Sequence, residues 1–253
     1  MLHLLQKNDE PALLHLLEKD KIHNLPFYGY LPYLSNIDSR FGFYGKYKED
    51  QLIAAVYFSP YNMGVAIEEE GIIHEVYDLL VTLPSTFLYG RKDILEKMGE
   101  FPYRSPHPYA YGYLTPLEDE FNERVAAQAT FNDKQQLLSF YEGKNIQLEL
   151  AELLDSLLAQ GNVFVVRNEA GTIASAAIAH SETEEYALIG AVYTNEDDGG
   201  KGYAGAVVQA LRVHLSHKGI TPFLFYEADK KQLEHFYEKL SFEKVADYVM
   251  WHD

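Results

Sequence analysis

The sequence predicts an α+β protein in which a mixed central sheet is flanked by helices. Three apolar segments joined by short polar turns, over residues 163–194, are typical of an antiparallel meander. Helix-like and strand-like segments then alternate to the C-terminus. A similar order of segments precedes them in the first half of the chain. We therefore predict a tandem of two related domains, residues 1–118 and 119–253.

The first half contains five segments with a clear pattern. They are a capped, leucine-rich helix over 8–18, a hairpin over 41–58, a helix over 72–83, a strand over 86–89 and a helix over 90–98. The Pro- and Tyr-rich stretch 101–116 follows, and acidic residues 118–120 come after it. This stretch predicts the connection between the domains.

The second half contains ten patterned segments. They are a strand over 124–130, helices over 132–142 and 147–159, strands over 163–166, 173–179 and 186–194, a helix over 203–216, a strand over 222–226, a helix over 230–240 and a strand over 243–251. Asn132 and Asp133 are predicted to cap the first helix, and Gly219 to end the third.

A short internal match supports the duplication. Glu49-Asp-Gln-Leu-Ile-Ala-Ala55 resembles Glu169-Ala-Gly-Thr-Ile-Ala-Ser175 at an offset of 120 residues, and both lie at the turn of a predicted hairpin. The same offset places residues 199–205, which are rich in glycine, opposite residues 79–85, which contain none. We infer that the first half has lost this glycine loop.

Composition narrows the functional class. The formal net charge of −17 argues against a nucleic-acid partner, which needs surplus Lys and Arg, but it tolerates a cationic amine. The absence of cysteine excludes thiolate catalysis, disulfides and cysteine-ligated zinc. No run of about 18 apolar residues predicts a membrane span, and Met1-Leu-His-Leu-Leu-Gln6 lacks the features of a signal peptide. We expect a cytoplasmic protein.

The glycine loop has two interpretations. Gly200-Lys-Gly-Tyr-Ala-Gly205 is a literal G-x-G-x-x-G, the dinucleotide-binding pattern, and Glu227 lies where a ribose-binding acid could stand. That fold needs parallel βα units on both sides of the pattern. Here a predicted meander precedes the loop, and only one helix and one strand follow Glu227. We therefore interpret the match as coincidental.

The order of elements from Arg124 to the C-terminus resembles the GNAT superfamily of acyl-CoA-dependent N-acyltransferases. The family's Q/R-x-x-G-x-G/A loop reads Gly199-Gly-Lys-Gly-Tyr-Ala204, after the strand Ala191-Val-Tyr-Thr194. Its closing Y-x-K-L-G-F segment reads Tyr237-Glu-Lys-Leu-Ser-Phe242. Gly199 departs from the family's Arg or Gln, Ser241 replaces its Gly, and an Asn usual before this Tyr is missing around Asp229.

The resemblance implies a cofactor site for acetyl-CoA. Backbone amides of a glycine loop at the positive end of a helix suit a pyrophosphate, and a lysine can add a charge beside it. The implied cofactor-binding residues are Val192, Tyr193, Thr194, Gly199, Gly200, Lys201, Gly202, Tyr203 and Ala204. An N–H near Val192 would polarise the thioester carbonyl. Asp197 and Asp198 suit a polyanion only if their carboxylates point away.

The resemblance also implies an acid and a base. Tyr237 stands where the family places the tyrosine that protonates the departing thiolate. Glu184, Glu185 and His180 are the candidates for the base, and we assign Glu185. His214 and His217 have a spacing that could bind a metal but also suits a solvated helix face, and no metal site is predicted.

The resemblance therefore implies an N-acetyltransferase that moves an acetyl group from acetyl-CoA to a primary amine of a small molecule or peptide. The first half is predicted to cover the acceptor and shape its choice. Two alternatives remain: a non-catalytic acyl-CoA-binding module, favoured by Gly199 and the missing Asn, and a dinucleotide-dependent oxidoreductase.

Overall fold

The computed structural model describes residues 1–35, 40–85, 87–102, 104–114, 125–144 and 147–252. The chain divides into two compact units. Unit 1 comprises Met1–Tyr111, Tyr226–Glu234 and Lys244–Asp253, and unit 2 comprises Gly112–Phe225 and His235–Glu243. The predicted boundary between residues 118 and 119 lies outside the described residues and stays a prediction.

The two halves of the chain repeat one order of ten elements: a strand, two helices, three strands, a helix, a strand, a helix and a strand. In the first half these are β1 His3–Leu4, α1 Glu10–Glu18, α2 Leu25–Tyr28, β2 Gly42–Lys48, β3 Gln51–Phe58, β4 Asn62–Ile67, α3 Ile73–Leu80, β5 Phe87–Arg91, α4 Lys92–Met98 and β6 Ser105–Leu114.

The second half repeats the order. They are β7 Ala126–Gln128, α5 Lys134–Phe140, α6 Gln147–Ala159, β8 Val163–Arg167, β9 Ile173–His180, β10 Tyr186–Thr194, α7 Tyr203–His217, β11 Thr221–Glu227, α8 Lys231–Lys239 and β12 Phe242–His252. The predicted α+β class with two similar halves is confirmed.

Strand pairing follows the same pattern in both units. In unit 1, β1, β2, β3 and β4 pair antiparallel in sequence, β4 pairs parallel with β5, and β5 pairs antiparallel with β12. In unit 2, β7, β8, β9 and β10 pair antiparallel in sequence, and β10 pairs parallel with β11. The last strand of the chain therefore pairs with a strand of the first half.

Turn residues explain the two hairpins that carry the internal match. Glu49 and Asp50 both have positive φ, 47° and 65°, between β2 and β3, as a two-residue turn of the primed type requires. Gly171, at φ 78°, lies in the turn between β8 and β9. The predicted hairpins are confirmed, and the matched sequences lie at equivalent turns.

Several details differ from the sequence prediction, which also lacked β1 and α2. β4 was not predicted, and the predicted connection over 101–116 contains β6, whose Pro106 and Pro108 suggested a loop because proline cannot donate to a ladder. α5 follows a 3₁₀ turn, Phe131–Asp133, in which the Asp133 carboxylate accepts the Thr130 N–H at 2.7 Å. Asp133 is the predicted N-cap residue of α5, but its carboxylate caps the 3₁₀ turn and makes no cap hydrogen bond to α5, while Asn132 lies within the turn.

The core of unit 2 lies on both faces of its sheet. One face packs against α5 and α6 in a cluster that includes Leu137, Leu154, Val165 and Ile178. The other face packs against α7, which buries Val207, Val208, Ala210, Leu211 and Leu215. Burial of a leucine-sized side chain contributes about 1.5–3 kcal/mol, so these clusters hold β10 and the start of α7 in place.

Candidate functional site

The loop between β10 and α7 has the backbone of an anion cradle. It consists of a 3₁₀ turn, Glu196–Asp198, and the residues up to Tyr203. Gly200 and Gly202 have left-handed φ values of 72° and 80°, and a Cβ at either would meet nothing within 4 Å. Glycine is therefore required by the backbone at both positions, and the space above them is open to an approaching ligand.

The helix that follows supplies N–H donors. α7 spans 15 residues, with Gly202 as its N-cap, and its first backbone bond beyond the loop joins Ala206 N–H to the Gly202 carbonyl at 3.1 Å. The N–H groups of the first turn, before Ala206, have no intrahelical acceptor. The helix dipole favours negative charge at this end. These residues fit the pyrophosphate that the resemblance implies.

Two charged side chains of the loop, Lys201 and Asp198, are paired with each other. Lys201 Nζ lies 2.7 Å from Asp198 Oδ1, and the Asn168 amide donates to Asp198 Oδ2 at 3.2 Å. The Asp198 carboxylate therefore faces Lys201 and the turn between β8 and β9, while Asp197 is exposed. The hydrogen bond from Lys201 lowers the pKa of Asp198, and in turn raises the pKa of Lys201. Both groups are charged at neutral pH.

Gly199, where the family has Arg or Gln, has an ordinary extended backbone with φ −62° and ψ 152°. A Cβ there would lie 3.1 Å from the carbonyl oxygen of Glu196. The glycine is therefore not required by φ, and a larger side chain needs a small shift of the 3₁₀ turn.

β10 contains a bulge just before the loop. Gly190 pairs with Ile178 and Tyr193 pairs with Ala176, so Ala191 and Val192 together oppose one residue of β9. Ala191 has φ 51°, a left-handed value that is uncommon for a residue with a side chain. A bulge re-aims backbone groups and commonly lies beside a functional site.

The parallel pairing of β10 with β11 stops before this bulge. Its last paired residues are Ile189 and Leu224, although β10 continues to Thr194. The predicted cofactor contacts Val192, Tyr193 and Thr194 therefore lie beyond the β11 register. Their backbone groups do not pair with β11. A pantetheine arm that inserts between the two strands would require this.

Two buried side chains from other elements hold the bulge. The Tyr141 hydroxyl, at the end of α5, donates to the Ala191 carbonyl at 2.7 Å. The Ser175 hydroxyl on β9 donates to the Tyr193 carbonyl at 2.9 Å and lies 2.9 Å from Thr194 Oγ1. Both residues are fully buried. Neither residue was predicted, although Ser175 is a hydroxyl side chain in an alanine-rich strand.

His180 lies beside the bulge on the face that packs against α5 and α6. A Cβ on Gly190 would lie 3.0 Å from His180 Nε2, so the missing side chain leaves room for the imidazole. His180 Nδ1 lies 3.1 Å from Ser181 Oγ. Burial lowers the pKa of His180 to about 4, so the ring is neutral at pH 7.

The predicted acid, Tyr237, is a buried residue of α8 in unit 2. Its ring contacts Phe236 and Phe242 at centroid distances of 4.9 and 5.5 Å. Burial raises the pKa of Tyr237 to about 12, so the phenol keeps its proton at neutral pH. α8 also approaches the start of α7, where Phe236 and Leu240 lie about 4 Å from a Cβ built on Gly205.

The structure does not bring the predicted base Glu185 to the bulge. Glu185 is exposed and precedes β10, where its carbonyl accepts the Thr221 N–H at 2.8 Å. At about 3.3 Å per residue it lies roughly 20 Å along the strand from Val192. Glu184 is exposed in the same turn. Of the three candidates for the base, His180 lies nearest to the bulge.

The corresponding place in unit 1 lacks these features. β3 and β4 pair without a register shift from Ala54–Ile67 to Phe58–Met63, so there is no bulge. Residues 68–72, between β4 and α3, correspond to the loop and include three glutamates that pair with lysines. The sequence predicted residues 79–85 as the counterpart of the glycine loop, from a fixed offset of 120 residues. This prediction is wrong because the connections of the second half are longer.

Among the described residues, no helix has the length and apolar composition of a membrane span. The same residues contain no group of three or more histidine, aspartate or glutamate side chains arranged to hold a metal ion.

Known proteins share this fold. Residues 169–251 match the family model described as "FR47-like protein". No curated protein sequence matches the chain. Among solved structures, a tandem GNAT protein from the clavulanic acid biosynthesis pathway superposes with a TM-score of 0.67 at 14% identity, covering 99% of this chain and 98% of that one.

Two further structures agree. A GCN5-related N-acetyltransferase from Sphaerobacter thermophilus has a TM-score of 0.66 at 14% identity, over 99% of this chain and 94% of that one. An acetyltransferase of the GNAT family from Colwellia psychrerythraea has a TM-score of 0.60 at 12% identity, over 99% and 98%. The chain therefore has the fold of GNAT acetyltransferases along its length, including tandem ones, and its segment 169–251 is similar to the FR47-like, GNAT-related family.

Proposed function

We propose that the protein is an N-acetyltransferase that moves an acetyl group from acetyl-CoA to a primary amine of a small molecule or peptide. One observation carries the proposal: a strand bulge with a left-handed Ala191 is joined by a single loop to the open glycine cradle of α7. The bulge suits a polarised carbonyl and the cradle suits a pyrophosphate, and acetyl-CoA contains both groups.

Each part of the chain has a role in this proposal. The N–H groups at the start of α7, with Gly200 and Gly202 beneath them, hold the phosphates, and Lys201 contributes charge. The backbone of Val192 to Thr194 aligns the pantetheine arm. The Val192 N–H donates to the carbonyl oxygen as negative charge develops on it.

The transfer forms a bond between the amine nitrogen and the acetyl carbon and breaks the bond between that carbon and sulfur. The thioester supplies an activated acyl group, and its sulfur leaves as a thiolate. Tyr237 donates its phenolic proton to that sulfur, and it is protonated at neutral pH because burial raises its pKa to about 12. The amine must lose a proton in the same reaction.

For the proton acceptor we favour His180 over the predicted Glu185. His180 lies next to Gly190, one residue before the bulge, whereas Glu185 precedes the far end of β10. The neutral imidazole of His180 can accept a proton on its unprotonated ring nitrogen, directly or through water. Its low pKa makes it a weak base, so a water relay to solvent would complete the transfer.

The binding half of the proposal is tested with Gly202→Glu. This change adds a carboxylate and a strained φ at the centre of the cradle, so binding of CoA in calorimetry is expected to be lost. Gly219→Glu is the matched control, because Gly219 lies at the other end of α7 with φ 74° and equally open space. Undiminished binding by Gly202→Glu, with wild-type folding in both variants, contradicts the assignment.

The catalytic half is tested by following thiol release from acetyl-CoA with a library of primary amines. Release with one class of amine supports the proposal and identifies the acceptor. CoA binding without release for any amine favours a non-catalytic acyl-CoA-binding module. A thermal shift with NAD but none with CoA favours the oxidoreductase, since a ligand at a hundred times its dissociation constant stabilises by about 2.7 kcal/mol.

A further inference from the structure

A buried tyrosine controls the orientation of one peptide group in the bulge. The Tyr141 hydroxyl donates to the carbonyl oxygen of Ala191 at 2.7 Å, across 50 positions of sequence. Tyr141 is 0% exposed, and its ring meets Tyr193 edge-on at 5.8 Å. The hydroxyl is therefore held firmly and has little freedom to choose another acceptor.

Peptide planarity carries this contact to the next residue. In a trans peptide the C=O of one residue and the N–H of the next point in opposite directions, and the chain contains no cis peptide bond in its described part. Fixing the Ala191 carbonyl towards Tyr141 therefore fixes the Val192 N–H away from Tyr141.

We propose that Tyr141 is a positioning residue that aims the Val192 N–H at the thioester carbonyl and so sets the geometry of the oxyanion site. The inference rests on the proposed function. Tyr141 belongs to neither β10 nor the glycine loop. Its hydroxyl acts on the site through the backbone of β10.

The backbone of the bulge is held in an uncommon conformation. Ala191 has φ 51°, a left-handed value that is strained for a residue with a side chain. Rotation of the Ala191–Val192 peptide about ψ of Ala191 and φ of Val192 would reverse the Val192 N–H. It would also break the hydrogen bond from Tyr141, so this bond opposes the rotation.

The second support of the bulge acts on a different peptide. Ser175 Oγ donates to the Tyr193 carbonyl at 2.9 Å, so it orients the Thr194 N–H and not that of Val192. Burial keeps the pKa of Tyr141 well above its ordinary value, and the hydroxyl remains a donor at every pH used for assay. Tyr141 is therefore the side chain that controls the Val192 donor.

The test is Tyr141→Phe, with Tyr111→Phe as the matched control. Tyr111 is also 0% exposed, and its hydroxyl donates to the Ile22 carbonyl at 2.8 Å within unit 1. Both changes keep the ring and remove a buried hydroxyl that donates to a carbonyl. A similar loss of stability is expected from the two, and it gives the structural baseline.

The measurement is the infrared carbonyl band of acetyl-CoA labelled with ¹³C at the thioester, bound to each protein, which needs no acceptor amine. A polarised carbonyl absorbs at lower frequency. We expect a downshift on the wild type and on Tyr111→Phe, and most of it lost on Tyr141→Phe. With an active amine, kcat should fall about 10- to 100-fold for Tyr141→Phe, while the dissociation constant of acetyl-CoA changes less than about threefold.

The outcomes separate the inference from the proposed function. Failure of the wild-type protein to bind acetyl-CoA overturns the proposed function. Binding without any downshift on the wild type leaves the cofactor assignment standing but overturns the inference. A downshift that Tyr141→Phe retains in full also leaves the cofactor assignment standing and overturns the inference. An equal loss in both variants assigns the effect to stability and also overturns the inference.

Discussion

Lys201 Nζ and Asp198 Oδ1 lie 2.7 Å apart within the glycine loop, so the cation that could meet a phosphate is held by a carboxylate of the same loop. The Asp198 side chain is 7% exposed and also accepts from Asn168. Phosphate binding must compete with this ion pair for Lys201.

Asp198→Asn is therefore expected to tighten CoA binding about 3- to 10-fold at low ionic strength, because it removes a negative charge beside the phosphates and frees Lys201. The gain should shrink as salt is added. Calorimetry at low and high salt measures both effects. Glu10→Gln is the control, since it removes the same charge from an i, i+3 pair with Lys7 in unit 1. Weaker binding by Asp198→Asn would show that Asp198 mainly holds the loop in shape.

The chain should bind one CoA and not two. Unit 1 has three glutamates, Glu68, Glu69 and Glu70, where unit 2 has the glycine loop, and its β3–β4 pairing has no bulge. Clustered carboxylates repel a polyanion. Calorimetric titration is expected to give a stoichiometry of one, and Gly202→Glu should abolish that single site. A second, independent binding event would contradict the loss of the site from unit 1.

Tyr237→Phe should lower kcat about 10- to 100-fold and leave CoA binding nearly unchanged, because it removes only the proton donor to the leaving thiolate. Since the pKa of Tyr237 is raised to about 12, the wild-type rate should show no alkaline loss from this group below pH 10. Steady-state kinetics over pH 7–10 tests both points. Tyr248→Phe, another buried tyrosine whose hydroxyl donates to the His23 carbonyl, is the control for simple loss of a buried hydroxyl.

His180 should make folding stability depend on pH. Its pKa is lowered to about 4 in the folded protein, against about 6.5 when unfolded, so the unfolded state binds the extra proton first as pH falls. The neutral His180 therefore contributes fully to folding stability above about pH 6.5, and this contribution is lost as the pH falls towards 4. It amounts to roughly 2–3 kcal/mol, after allowance for the exposed part of the ring.

Urea unfolding at pH 7.5, 6.0 and 4.5 checks this expectation for the wild type and His180→Gln. The wild type should lose more free energy of unfolding than His180→Gln as the pH falls over that range. His235→Gln, at a histidine that is 66% exposed, should show the wild-type dependence. A constant difference between wild type and His180→Gln would show that the imidazole is not buried as a neutral group.

Local patterns predicted most elements well. The two-residue turn at Glu49 and Asp50, the leucine spacing of α6 and the glycine at the end of α7 are governed by neighbours in sequence. β4 and β6 were missed because Gly64 interrupts the first and two prolines interrupt the second. Their strand conformation depends on partners that are distant in the chain.

The sequence was enough to predict the order of elements in the second half, a similar but incomplete order in the first half, and the glycine cradle at the start of α7, because each depends on interactions within a few residues. Tertiary structure alone decided how the bulge is held, since Tyr141 and Ala191 lie 50 positions apart and Ser175 and Tyr193 lie 18 apart. It also placed His180 beside Gly190 and left Glu185 distant. Contacts of this kind arise only when separate elements pack, and no local pattern encodes them.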